Sequence, residues 1–267
     1  MNQQRKHWIE SFAKAGYIAK GFIYILVGAL TAMAAFGIGG KKASSSDALS
    51  QVKDFPAGGF LLSVLAVGLV GYSLWRFLQA IKDTEHKGSD AKGIGKRLAY
   101  AFSGLIYGSL AFAAFKLVSG SGGGSGSGGS KEKDLVSSLL DQPFGKWLVL
   151  LIGLITIGNG IRQLIKGTTA SFMKDVKGLP RDRFDVLKKA GQAGFTARGI
   201  VFGIIGFLFI RAAWLQNPQE AGGTQSAFSF LQDSPFGNVL LGIVALGLIG
   251  YGVFMFVLAK YSDISVD

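Results

Sequence analysis

The chain has 267 residues, of which 49% are hydrophobic and only 16% charged, and its mean hydropathy is +0.39. This composition is too apolar for a typical soluble domain, and the lack of cysteine excludes disulfides and thiolate chemistry. The formal net charge of +12 does not indicate a nucleic-acid binder, because the basic residues flank apolar segments instead of alternating with stacking aromatics.

The first apolar segment follows a short basic stretch that contains Arg5 and Lys6, as the core of a secretory signal would. It is too long for a signal core, however, and it lacks a convincing small-residue cleavage site. We therefore interpret it as a retained membrane-spanning helix.

Long uncharged runs such as residues 21–38 and 58–75 reach the length of about 18 residues that indicates a spanning helix. Six such helices are predicted. They cover residues 15–38, 57–81, 98–118, 145–166, 192–214 and 236–260.

A two-helix pattern recurs three times along the chain. In the odd-numbered spans a shared glycine is followed three residues later by an aromatic residue; the glycines are Gly21, Gly104 and Gly199. In the even-numbered spans a D-x-P-x-G motif begins the helix, at residues 54–58, 141–145 and 233–237. The predicted repeats are residues 1–96, 97–186 and 187–267, which together form one membrane domain.

This pattern resembles a bacterial membrane family known as domain of unknown function 1206, whose unit is a helix pair that usually occurs in three copies. The resemblance rests on GYIAKGFIYILVG at 16–28 and FPAGGFLLSVLAVGLVGYSLWR at 55–76, whereas the middle copy departs with LAYAFSGLIYGSLA and Asn159. It implies an all-α integral membrane protein of six transmembrane helices, and it implies no activity.

The distribution of basic residues predicts the orientation. Segments 1–20, 76–97, 162–198 and 260–267 hold 20 of the 28 basic residues, so the positive-inside rule places them and both termini in the cytoplasm. The net charge is then +11 on the inner side and +1 on the outer side. The expected location is the bacterial inner membrane. The three repeats insert in parallel, which permits pseudo-threefold symmetry about the membrane normal.

Four basic residues lie one to two turns inside the cytoplasmic ends of the spans: Lys20, Arg76, Arg162 and Arg198. One interpretation is that they snorkel to the interface as anchors. The other is that they turn inward and form a basic vestibule for an anionic head group or metabolite.

Three aspartates precede the even-numbered spans: Asp54, Asp141 and Asp233. They are expected to cap the helices that follow, and the short mixed segments before them are expected to form small interfacial helices. Alternatively, the three carboxylates surround a pore mouth as a cation-attracting ring.

Few residues offer catalytic or metal-binding chemistry. His7 and His86 lie in polar cytoplasmic segments without paired ligands, so no metal, cofactor or catalytic residue is predicted.

The glycine- and serine-rich segment 119–130 has the composition of a flexible coil and lacks the spacing of a phosphate loop. Asn159 is expected to form a hydrogen bond between helices.

The sequence thus predicts a multi-pass membrane protein that is not an enzyme. Its basic cytoplasmic face is expected to bind anionic lipid head groups, a protein partner or a second copy of the chain, and no nucleic acid. The alternative is a passive channel or a facilitative transporter for a small solute. The activity itself, the ligand, the protein partner and the oligomeric state do not follow from the residues.

Overall fold

The computed structural model describes residues 3–54, 57–83, 88, 90–119, 128–176, 178–179 and 181–262. His86, Pro56 and most of the glycine-rich segment lie outside these ranges. Nine α-helices occur in the described part. They are α1 (Gln3–Ala35), α2 (Ser45–Lys53), α3 (Gly58–Lys82), α4 (Ala91–Val118), α5 (Gly128–Leu140), α6 (Gly145–Thr169), α7 (Arg181–Leu215), α8 (Thr224–Gln232) and α9 (Gly237–Tyr261).

Six of these helices are long and apolar enough to cross a membrane, namely α1, α3, α4, α6, α7 and α9. The predicted all-α membrane fold with six spans is therefore confirmed. Three starts differ by several residues, because α1 begins at Gln3 rather than at 15, α4 at Ala91 rather than at 98, and α7 at Arg181 rather than at 192. No proline interrupts these polar extensions, so the helices continue beyond their apolar segments.

Each even-numbered span is preceded by a short helix, α2, α5 or α8, at the side of the bundle away from the start of α1. We call this the distal side, and the side where α1 begins and α9 ends the terminal side. The prediction of small helices here is confirmed. In α2, Ser44 and Asp47 form a capping box, and Leu49 and Val52 are buried.

The aspartates do not cap the spans, so that interpretation is wrong. The residues that precede the spans, Ala57, Phe144 and Phe236, are in the left-handed conformation and provide no capping side chain. The aspartates end the preceding short helices or follow them directly, and all three are exposed. The first residues of the spans that follow have no side-chain cap. Asp54, Asp141 and Asp233 form no side-chain hydrogen bond with a described residue.

The glycine that ends each D-x-P-x-G motif is required because a side chain would not fit. A Cβ atom added at Gly145 would lie 1.8 Å from the carbonyl oxygen of Leu139, and one at Gly237 would lie 1.9 Å from that of Gln232. The chain turns so sharply from short helix to span that only a residue without a side chain fits.

The spans form an open ring. Each odd-numbered span packs against the even-numbered span of another repeat, in the pairs α1–α9, α4–α3 and α7–α6. Within the first and third repeats, α1 also packs against α3, and α7 against α9. No extended contact joins α4 to α6 along their described lengths, so the predicted pseudo-threefold symmetry is not confirmed.

Side-chain size explains the opening. In the first repeat, a Cβ at Gly68 would lie 3.0 Å from the Cβ of Ala19, and in the third, one at Gly247 would lie 2.6 Å from that of Ala197. Small residues thus let these helices approach closely. The repeat alignment places Phe102 and Ile155 at the same positions in the middle copy, where they are 65% and 63% exposed. The middle copy therefore lacks the small residues that let α1 approach α3 and α7 approach α9.

Candidate functional site

The structure brings three of the four predicted basic residues into the bundle. Lys20 of α1 is buried, with 6% of its surface exposed, while Arg76 of α3 and Arg198 of α7 are half-buried. Arg162 is exposed on α6 and takes no part in this group. We call Lys20, Arg76 and Arg198 the basic cluster.

Lys20 lies among three tyrosines from three helices. Its ammonium is 5.3 Å from the ring centroids of Tyr72 and Tyr107 and 5.4 Å from that of Tyr251. Its Nζ also donates to the hydroxyl of Tyr72 at 3.4 Å. The negative faces of the rings favour the charged side chain, so Lys20 is positioned by α3, α4 and α9 rather than directed to the membrane surface.

Arg76 shares Tyr72 with Lys20. Its Nε donates to the Tyr72 hydroxyl at 3.0 Å, and its Nη1 donates to Oε1 of Gln79 at 2.9 Å. The guanidinium carbon lies 4.9 Å from the Tyr72 ring and 5.2 Å from that of Tyr100. These contacts hold the guanidinium against the α3–α4 pair.

Arg198 enters the cluster from the other side. Its guanidinium carbon lies 4.3 Å from the ring centroid of Tyr251 and 5.2 Å from that of Tyr24. Its Nε is buried and has no hydrogen-bond partner in the described part of the chain. A buried charged donor without an acceptor is costly, so this atom requires an acceptor that the described residues do not provide.

The cluster has an excess of positive charge. Among the described residues no carboxylate pairs with its cations, and the Arg211–Glu220 ion pair lies at the distal end of α7. Lys20 and Arg76 bond one hydroxyl, so their nitrogens lie within about 6 Å of each other. At an effective dielectric constant of about 20, that pair alone repels by roughly 3 kcal/mol.

The cluster lies inside the membrane but near one face. Lys20 is 15 residues before Ala35, and Arg198 is 17 residues before Leu215, where their spans end. At 1.5 Å per residue, these separations are about 22 and 25 Å of a hydrocarbon core about 30 Å thick. The cluster therefore occupies the terminal-side third of the bundle. Towards the distal side, buried residues such as Val27, Leu62 and Leu248 fill the interior.

Helix α6 carries a polar stripe that sequence reasoning missed. Thr156, Asn159, Gln163 and Lys166 recur at spacings of three, four and three residues, which places them on one face of the helix. That spacing was the signal that could have revealed the stripe. The ammonium of Lys166 lies 5.8 Å from the ring centroid of Phe195, so α6 directs one basic side chain towards α7.

Two amides of this stripe have no hydrogen-bond partner among the described residues. Gln163 is 8% exposed, and its Oε1 has no hydrogen-bond partner in the described part of the chain. Asn159 forms no hydrogen bond with a described residue, so the predicted bond between helices is wrong. The cause is the open ring, since α4 is not close enough to offer one. In the repeat alignment Asn159 is equivalent to Tyr72 and Tyr251, which are two of the tyrosines that contact Lys20.

Known proteins match this chain along all three repeats. The family model described as Domain of Unknown Function (DUF1206) matches residues 15–83, 98–170 and 193–262. The chain is 38% identical over 267 residues to a Bacillus subtilis (strain 168) protein named "Uncharacterized protein YxxB", with 99% of this chain and 95% of the relative covered. No solved structure matches significantly.

Proposed function

The chain belongs to the DUF1206 family of membrane proteins, and from its basic cluster we propose that it binds the anionic head group of a membrane lipid. The observation that carries this proposal is the convergence of Lys20, Arg76 and Arg198 without a carboxylate among the described residues. A phosphate group there would neutralise the repulsion and accept hydrogen bonds from both guanidinium groups.

The charge distribution supports a lipid of the cytoplasmic leaflet. The terminal side carries a net charge of +11 and the distal side +1, so the positive-inside rule places the cluster near the cytoplasmic face of a bacterial inner membrane. Anionic lipids are attracted to such a face by about 1 kcal/mol per basic residue near the surface. Both termini are cytoplasmic in this arrangement.

The proposed role is binding rather than catalysis. The side chains around the cluster are cations, tyrosines and amides, and within the described residues neither a histidine nor a carboxylate contacts it. Such groups are suited to hold an anion by hydrogen bonds and charge. The bound lipid then stabilises the bundle, or forms part of a surface that a protein partner or a second copy recognises.

Lipid retention by the purified protein tests the proposal. The wild type, extracted in a neutral detergent, is titrated with phosphatidylglycerol or phosphatidylcholine, and bound lipid is counted by native mass spectrometry. We expect tighter binding of the anionic lipid. The double variant Lys20→Met/Arg198→Gln should weaken it at least tenfold, since each hydrogen bond to a charged group contributes about 1.5–3 kcal/mol.

Arg162→Gln is the matched control, because Arg162 is basic, lies in the neighbouring helix and is exposed. It should leave the affinity for phosphatidylglycerol within about twofold, below the 1.4 kcal/mol that a tenfold change represents. Equal affinity of the wild type for the two lipids would refute the proposal. So would an effect of Arg162→Gln as large as that of the double variant.

A facilitative transporter or passive channel for a small anion is the second candidate. The inward convergence of the three cations favours it, because a transported anion needs them near the axis. The filled distal half of the bundle opposes it. Flux of phosphate or a small carboxylate into proteoliposomes, abolished in the Lys20→Met/Arg198→Gln variant, would replace lipid binding by transport.

A further inference from the structure

Helices α4 and α6 flank the gap in the ring of spans, and the basic cluster lies in the interior that the spans surround. The repeat alignment assigns Leu98, Phe102 and Ile106 to the α4 wall of this gap and Ile155 and Asn159 to its α6 wall. We call these five residues the middle-repeat cleft. The four apolar side chains are exposed, although the equivalent positions in the other repeats include the helix contacts of Ala19 and Ala197.

From this geometry we infer that an anionic glycerolipid enters the bundle sideways through the middle-repeat cleft and leaves an acyl chain in it. The inference rests on the proposed function, and it adds the route and the class of ligand. The walls are apolar at the depth of the hydrocarbon core, where an acyl chain fits and a soluble anion does not.

Three polar groups near the cleft and the cluster have no hydrogen-bond partner among the described residues. They are the amide of Asn159, the buried Oε1 of Gln163 and the buried Nε of Arg198, none of which bonds a described residue. In hydrocarbon an unpaired polar group is costly, which indicates that a ligand completes these bonds. Asn159 and Arg198 can donate to ester or phosphate oxygens, whereas Gln163 Oε1 requires a donor such as a head-group hydroxyl. A glycerol-bearing phospholipid offers both.

Charge complementarity selects a lipid over a second copy of the chain. A copy docked on α4 and α6 through the same apolar faces would bring Leu98, Phe102 and Ile155 against themselves and would leave the cations unneutralised. A lipid supplies the apolar chain and the negative head group in one molecule. Lys166 lies on the same face of α6 as Asn159 and adds a positive charge to that face.

Photo-cross-linking in the unmodified protein tests the route directly. Phosphatidylglycerol with a diazirine on its acyl chain is added to the purified wild type, and the labelled peptides are mapped. We expect labels at residues 98–106 of α4 and 152–159 of α6. A cavity of about 510 Å³ between α3 and α4, lined by Val70, Phe112 and Phe115, is the competing position for the chain.

Two double variants complete the test. Phe102→Ala/Ile155→Gly introduces the small residues of the other repeats and should let the cleft close, reducing labelling and phosphatidylglycerol retention at least tenfold. Phe112→Ala/Ile161→Gly changes equally exposed positions outside the cleft and should leave both unchanged. Soluble glycerol phosphate, added in excess, should not displace the lipid.

The outcomes separate the route from the proposed function. Retained phosphatidylglycerol with labels confined to the α3–α4 cavity would overturn the lateral route and leave head-group binding intact. Displacement by glycerol phosphate would also overturn it, because access would then be from water. A wild type that does not retain phosphatidylglycerol would overturn both. A dimer in native mass spectra together with no lipid label on α4 or α6 would replace the lipid by a second copy.

Discussion

Replacing Lys20 by methionine should change the stability of the protein in opposite directions with and without an anionic lipid. In neutral detergent the ammonium is repelled by Arg76 at about 6 Å and by Arg198 within about 10 Å, which costs roughly 3 and 2 kcal/mol at an effective dielectric constant of about 20. The substitution also removes three cation–π interactions, at about 0.5–1 kcal/mol each, and one long hydrogen bond worth about 1 kcal/mol. The variant should therefore be about 1–2 kcal/mol more stable than the wild type.

An anionic lipid should reverse this order. At a lipid concentration 100 times its Kd, the wild type gains about 2.7 kcal/mol of unfolding free energy. Removing one partner of a buried charged pair weakens ligand binding by about 2–5 kcal/mol, so the variant should bind about 100-fold more weakly and gain less than about 0.5 kcal/mol. Denaturant unfolding, followed by the fluorescence of the four tryptophans, measures both free energies.

Lys260→Met is the control, because Lys260 is exposed near the terminal end of α9. It should have little effect under either condition. The reasoning is refuted if Lys20→Met lowers stability in neutral detergent while phosphatidylglycerol stabilises variant and wild type equally. Lys20 would then be a structural side chain held by its tyrosines rather than part of a lipid site.

Three further predictions concern topology and the distal turns. A cysteine at Lys42 should react with a membrane-impermeant reagent only from the outside of the cell, and labelling only in inverted vesicles would reverse the orientation. Gly145→Ala should cost about 3 kcal/mol of unfolding free energy, because its methyl group would overlap a carbonyl oxygen. Gly158→Ala is the control and should cost less than about 0.5 kcal/mol, because no atom lies near the new methyl group. Equal losses would contradict the steric argument. Ser44→Ala removes a capping box and should lower the unfolding free energy by about 1 kcal/mol. Asp141→Ala should lower it by less than about 0.5 kcal/mol, because Asp141 caps no span. A larger loss for Asp141→Ala than for Ser44→Ala would show that the aspartate does cap the span.

Local patterns in the sequence were sufficient for the membrane architecture. An apolar run long enough to span the bilayer must form a helix there, because no water is available to satisfy its backbone. The number of spans and the small distal helices therefore followed from composition and helix signals alone. The threefold repetition was visible in the spacing of Gly21, Gly104 and Gly199, and the family match agrees with it.

Which basic side chains turn inward was decided by tertiary structure. An apolar run fixes the length of a span but not its rotation about its own axis. In α6 that rotation is set by Gly153 and Gly160, whose added Cβ atoms would meet the backbone of α7 at 2.9 and 3.0 Å. This contact between α6 and α7 leaves Arg162 exposed and directs Gln163 into the bundle.

The open ring also required the three-dimensional structure. The sequence displays Phe102 and Ile155 where the other repeats have alanine and glycine, yet both types are ordinary residues in a membrane helix. Whether a bulky side chain fills a gap or holds two helices apart depends on the neighbours that surround it. Only the assembled bundle leaves these two side chains exposed and α4 and α6 without extended contact, with the basic cluster of Lys20, Arg76 and Arg198 in the interior, because packing is a property of all six spans together.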